Sequence, residues 1–476
     1  MRISVVGSGY VGLVAAACFA ELGHDVVSID NDAEKIGRLQ QGEVPIHEQH
    51  LPELLARHRN KKLTFSTDLA GAVRQSTAIF IAVGTPATNE GDADLSYVES
   101  VSRAIALGIN DYKIVVEKST VPVFTSNWIR KVMLLDGAPA DLFDVASNPE
   151  FLREGTAVVD FLYPDRIVTG ADTARCADVL RQIYLPLTDG SYYRRGDRVA
   201  VPAPKNWPGA ARIIATTTKS AEIIKHASNA FLATKISFIN AVANICESVG
   251  ADVKEVCEGI GSDSRIGNRF LSPGVGYGGS CFPKDLKAFR HVARENGYDF
   301  TLLSSVISIN EEQRARFLRK VRTALWTLKG KKIAVLGLAF KGGTDDIRES
   351  PAIEIVKSLL KEGCEIRAYD PAANDRAREV LPSQGISCYE SAYDAIKGAD
   401  ALVILTDWSE FAELDLDRVR ATLTYPIVVD GRNLYDPAVM ATYGFLYYSV
   451  GRPDVQPARR IEKSEKITAA VTGKVE

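Results

Sequence analysis

The sequence predicts an α/β protein: two doubly wound parallel-sheet domains joined by a central helical domain with one long helix. Three features predict it. Short β-branched runs alternate with helix-like stretches over the first half of the chain. Residues 219–249 run without Gly or Pro and place apolar residues at helical spacing. A second strand–turn–helix–strand pattern then starts at Lys332. At 476 residues the chain is also too long for a single core.

Ile3-Ser4-Val5-Val6 is the first strand, followed by a glycine turn and a helix-like stretch through Leu22. Val26-Val27-Ser28-Ile29-Asp30 is the second. Residues 78–83 and 113–117 read as further buried strands, each ending in polar or turn residues. Residues 219–249 form one long helix or two shorter ones, a spine between domains whose length also suits a dimer surface. After the charged run Glu311-Glu312-Gln313-Arg314 come the strands of the second sheet, Ile333-Ala334-Val335-Leu336-Gly337, Ile366-Arg367-Ala368-Tyr369-Asp370 and Ala401-Leu402-Val403-Ile404-Leu405. Residues 189–211, rich in Tyr, Arg, Gly and Pro, read as a loop or insertion. The boundaries drawn are 1–212, 213–315 and 316–452. Residues 453–476 are a polar tail, low in aromatics and expected to be mobile.

Nearly half the residues are hydrophobic (46%) and a quarter charged, which is ordinary globular composition. A net charge of −3, with no long basic run and no interleaved aromatics, argues against nucleic acid as a partner. The seven cysteines are scattered and contain no C-x-x-C pair, so neither a disulfide framework nor a zinc site is expected. Met1-Arg2 and the apolar run after it could imitate a signal peptide. Gly7, Gly9 and Gly12 interrupt that run, and no cleavage-type ending follows. No apolar stretch is long enough to span a bilayer. A cytoplasmic protein without a membrane partner is expected.

Gly7-Ser8-Gly9-Tyr10-Val11-Gly12 fits G-x-G-x-x-G directly after a strand and at the opening of a helix. Glycines there permit a tight turn and close approach of backbone to a pyrophosphate, which sits on the positive end of the helix. Asp30 ends the second strand, at the distance where a carboxylate accepts both ribose hydroxyls and repels a 2′-phosphate. The first domain is therefore expected to be Rossmann-like and to bind NAD, with Tyr10 and Val11 inside the turn.

A second glycine-rich segment runs Gly274-Val275-Gly276-Tyr277-Gly278-Gly279-Ser280-Cys281-Phe282-Pro283-Lys284-Asp285. Pro283 suits the first turn of a helix, which puts Cys281 at a helix N-terminus where the dipole and Lys284 favour a thiolate. A thiolate can capture an aldehyde as a thiohemiacetal. The other six cysteines read as packing residues. Lys225 and Asn229, four apart, share one helix face. Taken alone such a pair more often marks a solvated surface; in a site, the lysine handles an alcohol proton and the amide fixes geometry. Glu150 and Glu154 suit a proton-handling pair and a charged helix start equally. His226 reads as structural. His47 and His50 are spaced for one helix face but lack a third ligand, so no metal is expected.

These segments, with Val83-Gly84-Thr85-Pro86, Glu117-Lys118-Ser119-Thr120-Val121-Pro122, Asn148-Pro149-Glu150-Phe151-Leu152-Arg153-Glu154-Gly155 and Leu336-Gly337-Leu338-Ala339-Phe340-Lys341, closely resemble the UDP-glucose/GDP-mannose dehydrogenase family from Met1 to about Arg452. Arg265-Ile266-Gly267-Asn268-Arg269-Phe270-Leu271 is similar to the UDP-glucose branch. The resemblance implies NAD-dependent four-electron oxidation of UDP-glucose to UDP-glucuronate, by way of a Cys-bound thiohemiacetal and thioester. The same chemistry on GDP-mannose or a UDP-N-acetylhexosamine is the alternative. The acid product would serve polysaccharide synthesis.

Roles follow from the resemblance position by position. Cys281 is the implied nucleophile, and Lys225 assists alcohol oxidation. Asn229 and Asp285 position a water or neighbouring groups, while Thr120, Glu150 and Glu154 support water activation. Gly7, Gly9, Tyr10, Val11, Gly12, Asp30, Lys35, Thr85, Thr120, Glu154 and Arg348 are implied for NAD. The nucleotide sugar falls to Glu150, Phe151, Leu152, Lys225, Asn229, Arg265, Tyr277, Gly278, Phe340, Lys341 and Arg432. The Arg265 counterpart reaches across a dimer in this family, so a homodimer or higher homo-oligomer is implied. Three departures stand out: Ala241 where an acidic residue is common, Gly342-Gly343 where a charge often follows Lys341, and a long 189–211 stretch.

Overall fold

The structure, a computed structural model, describes residues 1–86 and 93–456. The first sheet contains β1 (Arg2–Val6), β2 (Asp25–Ile29), β3 (Leu63–Ser66), β4 (Ala78–Ile81), β5 (Lys113–Glu117), β6 (Phe143–Ser147), β7 (Ile167–Ala171) and β8 (Ile213–Thr216). They lie in the order β3-β2-β1-β4-β5-β6-β7-β8. β4 and β5 are buried along their whole length, as expected of strands covered by helices on both faces. The second sheet contains β9 (Lys332–Leu336), β10 (Glu365–Tyr369), β11 (Ile386–Cys388), β12 (Ala401–Ile404), β13 (Ile427–Asp430) and β14 (Leu446–Ser449), in the order β11-β10-β9-β12-β13-β14. Both sheets reverse winding direction at the strand that opens them, which makes each a Rossmann-like doubly wound sheet. The predicted fold class holds.

The structure refines that expectation at the far edge of the first sheet. β6 and β7 pair antiparallel, so β7 and β8 run against the other six strands. The connection between them carries only the short helix Ala157–Leu162. β8 spans residues 213–216 and pairs with β7, and the long helix starts directly after it.

One unbroken helix, Thr218–Val249, joins the two sheets, which settles the choice between one helix and two. Thr217 caps it through a bond from Ser220 N, and Gly250 ends it at φ 76°. Its buried face carries Glu222, Lys225, His226 and Asn229. The other face exposes Phe231, Phe238 and Ile245 at seven-residue intervals, each more than half exposed. No helix among the described residues is long and apolar enough to cross a membrane.

Residues 189–211 are not a free loop. Tyr192 is fully buried, and Tyr193 and Trp207 pack around Tyr163. Buried Glu21, at the end of the helix Tyr10–Glu21, draws the segment in through Val199 N at 2.9 Å and holds His58 at 2.6 Å. His47 and His50 do not share a helix: residues 43–50 form a loop, and His50, at φ 64°, precedes the helix Leu51–His58. Gly342 and Gly343 also have a spatial reason: a Cβ on Gly342 would lie 2.8 Å from Asp407 O, and Gly343 sits at φ 79°. Most of the predicted mobile tail, 457–476, lies outside the described residues.

Phe19 centres the first core, with rings of Phe80, Phe161 and Tyr184 at 4.7, 5.2 and 5.8 Å. Truncating it leaves a cavity that its neighbours cannot fill. Phe19→Ala is expected to destabilise the first domain by about 3–5 kcal/mol. A calorimetric melt should show its transition several degrees lower; an unmoved transition would contradict this packing.

Candidate active site

The glycine turn joins β1 to the helix Tyr10–Glu21. Gly7 sits at φ 103°, and a Cβ on Gly12 would lie 1.8 Å from Gly7 O, so neither position accepts a side chain. Gly9 has no atom within 4 Å of where its Cβ would be, which leaves the backbone open to a ligand. Asp30 follows β2, accepting from Ser8 N at 2.8 Å and from Lys35 Nζ at 3.2 Å. Turn, helix start and carboxylate together fit the adenosine pyrophosphate half of NAD. Thr85 donates to Thr120 O at 2.8 Å, and Lys284 Nζ reaches the same two residues at 3.2 and 3.4 Å.

Glu150 follows β6 and meets the long helix at Lys225. Lys225 Nζ donates to Glu150 Oε1 at 2.6 Å, and each side chain is only 4% exposed. Burial works against the Lys225 charge, but Glu150, with Cys281 and Asp285 behind it, outweighs burial and holds the ammonium above its ordinary range. One turn on, Asn229 Nδ2 donates to Asp285 Oδ2 at 2.6 Å. Asp285 lies in the first turn of the helix Phe282–Glu295, with Cys281 at its N-cap and Pro283 in its first turn. Asp285 Oδ1 is 3.1 Å from Lys284 Nζ, an ion-pair distance without hydrogen-bond alignment. Phe151 lies under the Arg166 guanidinium at 3.6 Å and beside Lys225 at 5.6 Å; Leu152 N is bonded to Glu150 Oε2 at 2.6 Å.

The electrostatics at Cys281 correct one expectation. Lys284 does not address the sulfur; it is committed to Thr85, Thr120 and Asp285. Burial pushes the thiol up to about 11, and the Glu150 and Asp285 carboxylates add to the rise. Lys225 and Ser280 Oγ, the latter 3.6 Å from Sγ, pull the other way. The resting site therefore stores a protonated thiol beside an ammonium.

Glu154 enters from the other side. Its carboxylate accepts from Ser280 Oγ at 3.1 Å and Thr344 Oγ1 at 3.3 Å, with Arg348 Nη2 at 3.4 Å. Its carbonyl accepts from Lys341 Nζ at 2.6 Å. Burial and the neighbouring Asp346 carboxylate raise its proton affinity, against Arg348. Phe340 packs on Gly279, Arg432 Nη2 bonds Phe340 O at 2.9 Å, and a side chain on Gly278 would strike Glu349 O. Tyr277 is buried, its backbone held from both sides by Asn310. The cysteine loop is thus pinned between the long helix and the second sheet.

Among the residues singled out in the sequence, Arg265 is the one that stays away. Its side chain is 87% exposed and, among the described residues, pairs only with Asp263 at 2.6 Å. Four residues escaped sequence reasoning. Ser280 links Glu154 to the sulfur, and Asp346 orients Arg348 at 2.7 Å. Buried Lys118 holds Asn148 and is driven down to about 8 by burial. Glu48 lies under Gly155. Ser280 was legible from its place beside Cys281. The other three sit in loops without periodicity.

Three family models match the chain: the NAD binding domain of the UDP-glucose/GDP-mannose dehydrogenase family over residues 1–188, its central domain over 219–312 and its UDP binding domain over 334–437. The UDP-glucose 6-dehydrogenase TuaD of Bacillus subtilis (strain 168) is 43% identical, covering 98% of this chain and 95% of that protein. The UDP-glucose 6-dehydrogenase of Rhizobium meliloti (strain 1021) is 44% identical over 95% of this chain and 100% of its own. Among solved structures, a UDP-glucose dehydrogenase from the hyperthermophilic archaeon Pyrobaculum islandicum superposes with a TM-score of 0.84 at 37% identity, covering 95% and 98% of the two chains. The chain belongs to the UDP-glucose/GDP-mannose dehydrogenase family and is an NAD-dependent oxidoreductase.

Proposed function

We propose that this enzyme oxidises the primary alcohol of UDP-glucose to the carboxylate of UDP-glucuronate, with Cys281 holding the half-oxidised sugar. The observation that carries this reading is the convergence of two buried pairs, Lys225–Glu150 and Asn229–Asp285, on a single cysteine. The relatives named UDP-glucose 6-dehydrogenase at 43–44% identity favour glucose over other sugars. A UDP-D-MAnNAc dehydrogenase structure from Pyrococcus horikoshii is only 29% identical.

NAD, when bound at the glycine turn, accepts a hydride from the sugar carbon, and is exchanged so that this happens twice. The protein handles the protons and the carbon. Lys225, kept charged by Glu150, hydrogen-bonds the alcohol oxygen and steadies the negative charge that builds there, while the hydroxyl proton leaves to water, so that loss of hydride leaves an aldehyde. The Cys281 sulfur adds to the aldehyde carbon while its proton moves to the oxygen, which Lys225 and Asn229 hold. Loss of the second hydride from this thiohemiacetal, with its hydroxyl proton released to water, leaves a thioester. Water, placed by Thr120 and relieved of a proton by Glu154, attacks the thioester carbon. The C–S bond breaks, and the sulfur recovers its proton. Covalent capture explains why a cysteine is needed: a free aldehyde would escape during cofactor exchange.

Tyr277, Gly278, Phe340, Lys341 and Arg432 are assigned to the nucleotide sugar, and Asp30, Lys35, Thr85 and Arg348 to NAD. The exposed row Phe231, Phe238 and Ile245 is assigned to a second copy of the chain, which would also bring Arg265 to the partner's site. The domains are taken as 1–212, 213–315 and 316–452. Seven unpaired thiols support a reducing, cytoplasmic setting.

Purified enzyme should form two NADH per UDP-glucose, and Cys281→Ser should lose nearly all complete turnover; one NADH per sugar would sink the covalent scheme. Because Glu150 raises the thiol, iodoacetamide labelling of Cys281 at pH 8 should be slow and should quicken several-fold in Glu150→Gln. Peptide mapping reads this, and equal rates would contradict the assigned electrostatics. Phe231→Glu with Phe238→Glu should halve the mass found by light scattering; an unchanged mass would move the dimer surface elsewhere.

A further inference from the structure

Glu48 lies in the loop between the helices Ala33–Gln41 and Leu51–His58, and it is 4% exposed. Its Oε2 accepts from Gly155 N at 2.8 Å and from Tyr10 Oη, and its Oε1 from Val158 N at 3.4 Å. Gly155 N is also 2.7 Å from Tyr10 Oη, so one amide is shared between a carboxylate and a phenol. Gly155 itself is wedged: it sits at φ 85°, and a Cβ there would lie 2.3 Å from Gly343 O. Burial pushes the Glu48 carboxyl up to about 7 despite these bonds. A buried carboxyl is a costly way to fill space in a loop. Its bonds therefore need a reason.

The neighbour of Gly155 supplies one. Glu154 is held on its other side by Lys341, Thr344 and Arg348, and through Ser280 it faces the Cys281 sulfur. We propose that Glu48 is a positioning residue for the thioester-cleaving half of the reaction, fixing Glu154 through Gly155 and tying it to the first residue of the glycine-turn helix. This rests on the roles given above to Cys281 and Glu154. Without the anchor, the Glu154 carboxylate loses its angle to the sulfur while the sites for both ligands stay intact. Hydrogen-bond acceptance, rather than charge, is what Gly155 N requires.

The test is rapid-mixing kinetics on Glu48→Ala and Glu48→Gln beside the parent. Glu48→Ala should give a burst of two NADH per active site, then a steady rate lower by about 10- to 100-fold, the range a misplaced group produces. A sugar adduct on Cys281 should accumulate in its intact mass, with KM for UDP-glucose and NAD changed less than about twofold. Glu48→Gln keeps an amide oxygen for Gly155 N and should regain most of the rate. Glu48→Asp, which retains the charge but shortens the arm, should show the burst and decides the matter if Glu48→Ala does not fold. Full turnover in the Ala and Asp variants, or slow turnover without burst and adduct, would overturn the inference alone. One NADH per sugar from the parent would overturn the underlying reading and this inference with it.

Discussion

The site depends on one buried ion pair. Lys225 and Glu150 come from different parts of the chain, the long helix and the loop after β6, and both are withdrawn from water. Removing one partner from such a pair strands a charge and costs about 3–5 kcal/mol, so the two segments are held in fixed register. That register places Asn229, one turn further along, against Asp285, which fixes the helix whose N-cap is Cys281. Sheet, spine and cysteine loop are thus locked in sequence from a single contact.

The same pair governs the chemistry. Burial pulls the proton affinity of the lysine down, Glu150 with Cys281 and Asp285 more than offsets it, and the ammonium is the nearby cation that eases an otherwise resistant thiol. The second sheet acts on a different residue. Lys341, Thr344 and Arg348 all reach Glu154, so the two ends of the molecule meet at a carboxylate beside the sulfur.

Much of this was legible in the sequence, because backbone constraints leave local marks. Gly7 and Gly12 cannot carry side chains, and a run of 31 residues without Gly or Pro, residues 219–249, forms part of one helix. Lys225 and Asn229 could be paired from their spacing, and Pro283 located the helix behind Cys281. Long-range contacts left no such mark. Lys284 is three residues from the cysteine in sequence yet spends its charge on Thr85, Thr120 and Asp285, while the cation that acts on the sulfur is 56 positions upstream. Glu48 sits in an aperiodic loop, so its partner at Gly155 could only be found in three dimensions. The reversal of β7 was hidden because each strand reads the same in either direction.

The measurement closest to the central claim is a double-mutant cycle on kcat with Lys225→Met, Glu150→Gln and the two together, using protein verified as folded. Groups that act as one unit lose their function once, not twice. Each single substitution is expected to remove most of the turnover, with the double variant scarcely slower than the worse single one. Losses that multiply independently would mean that Lys225 and Glu150 serve separate steps, and the buried pair would then be a structural contact alone.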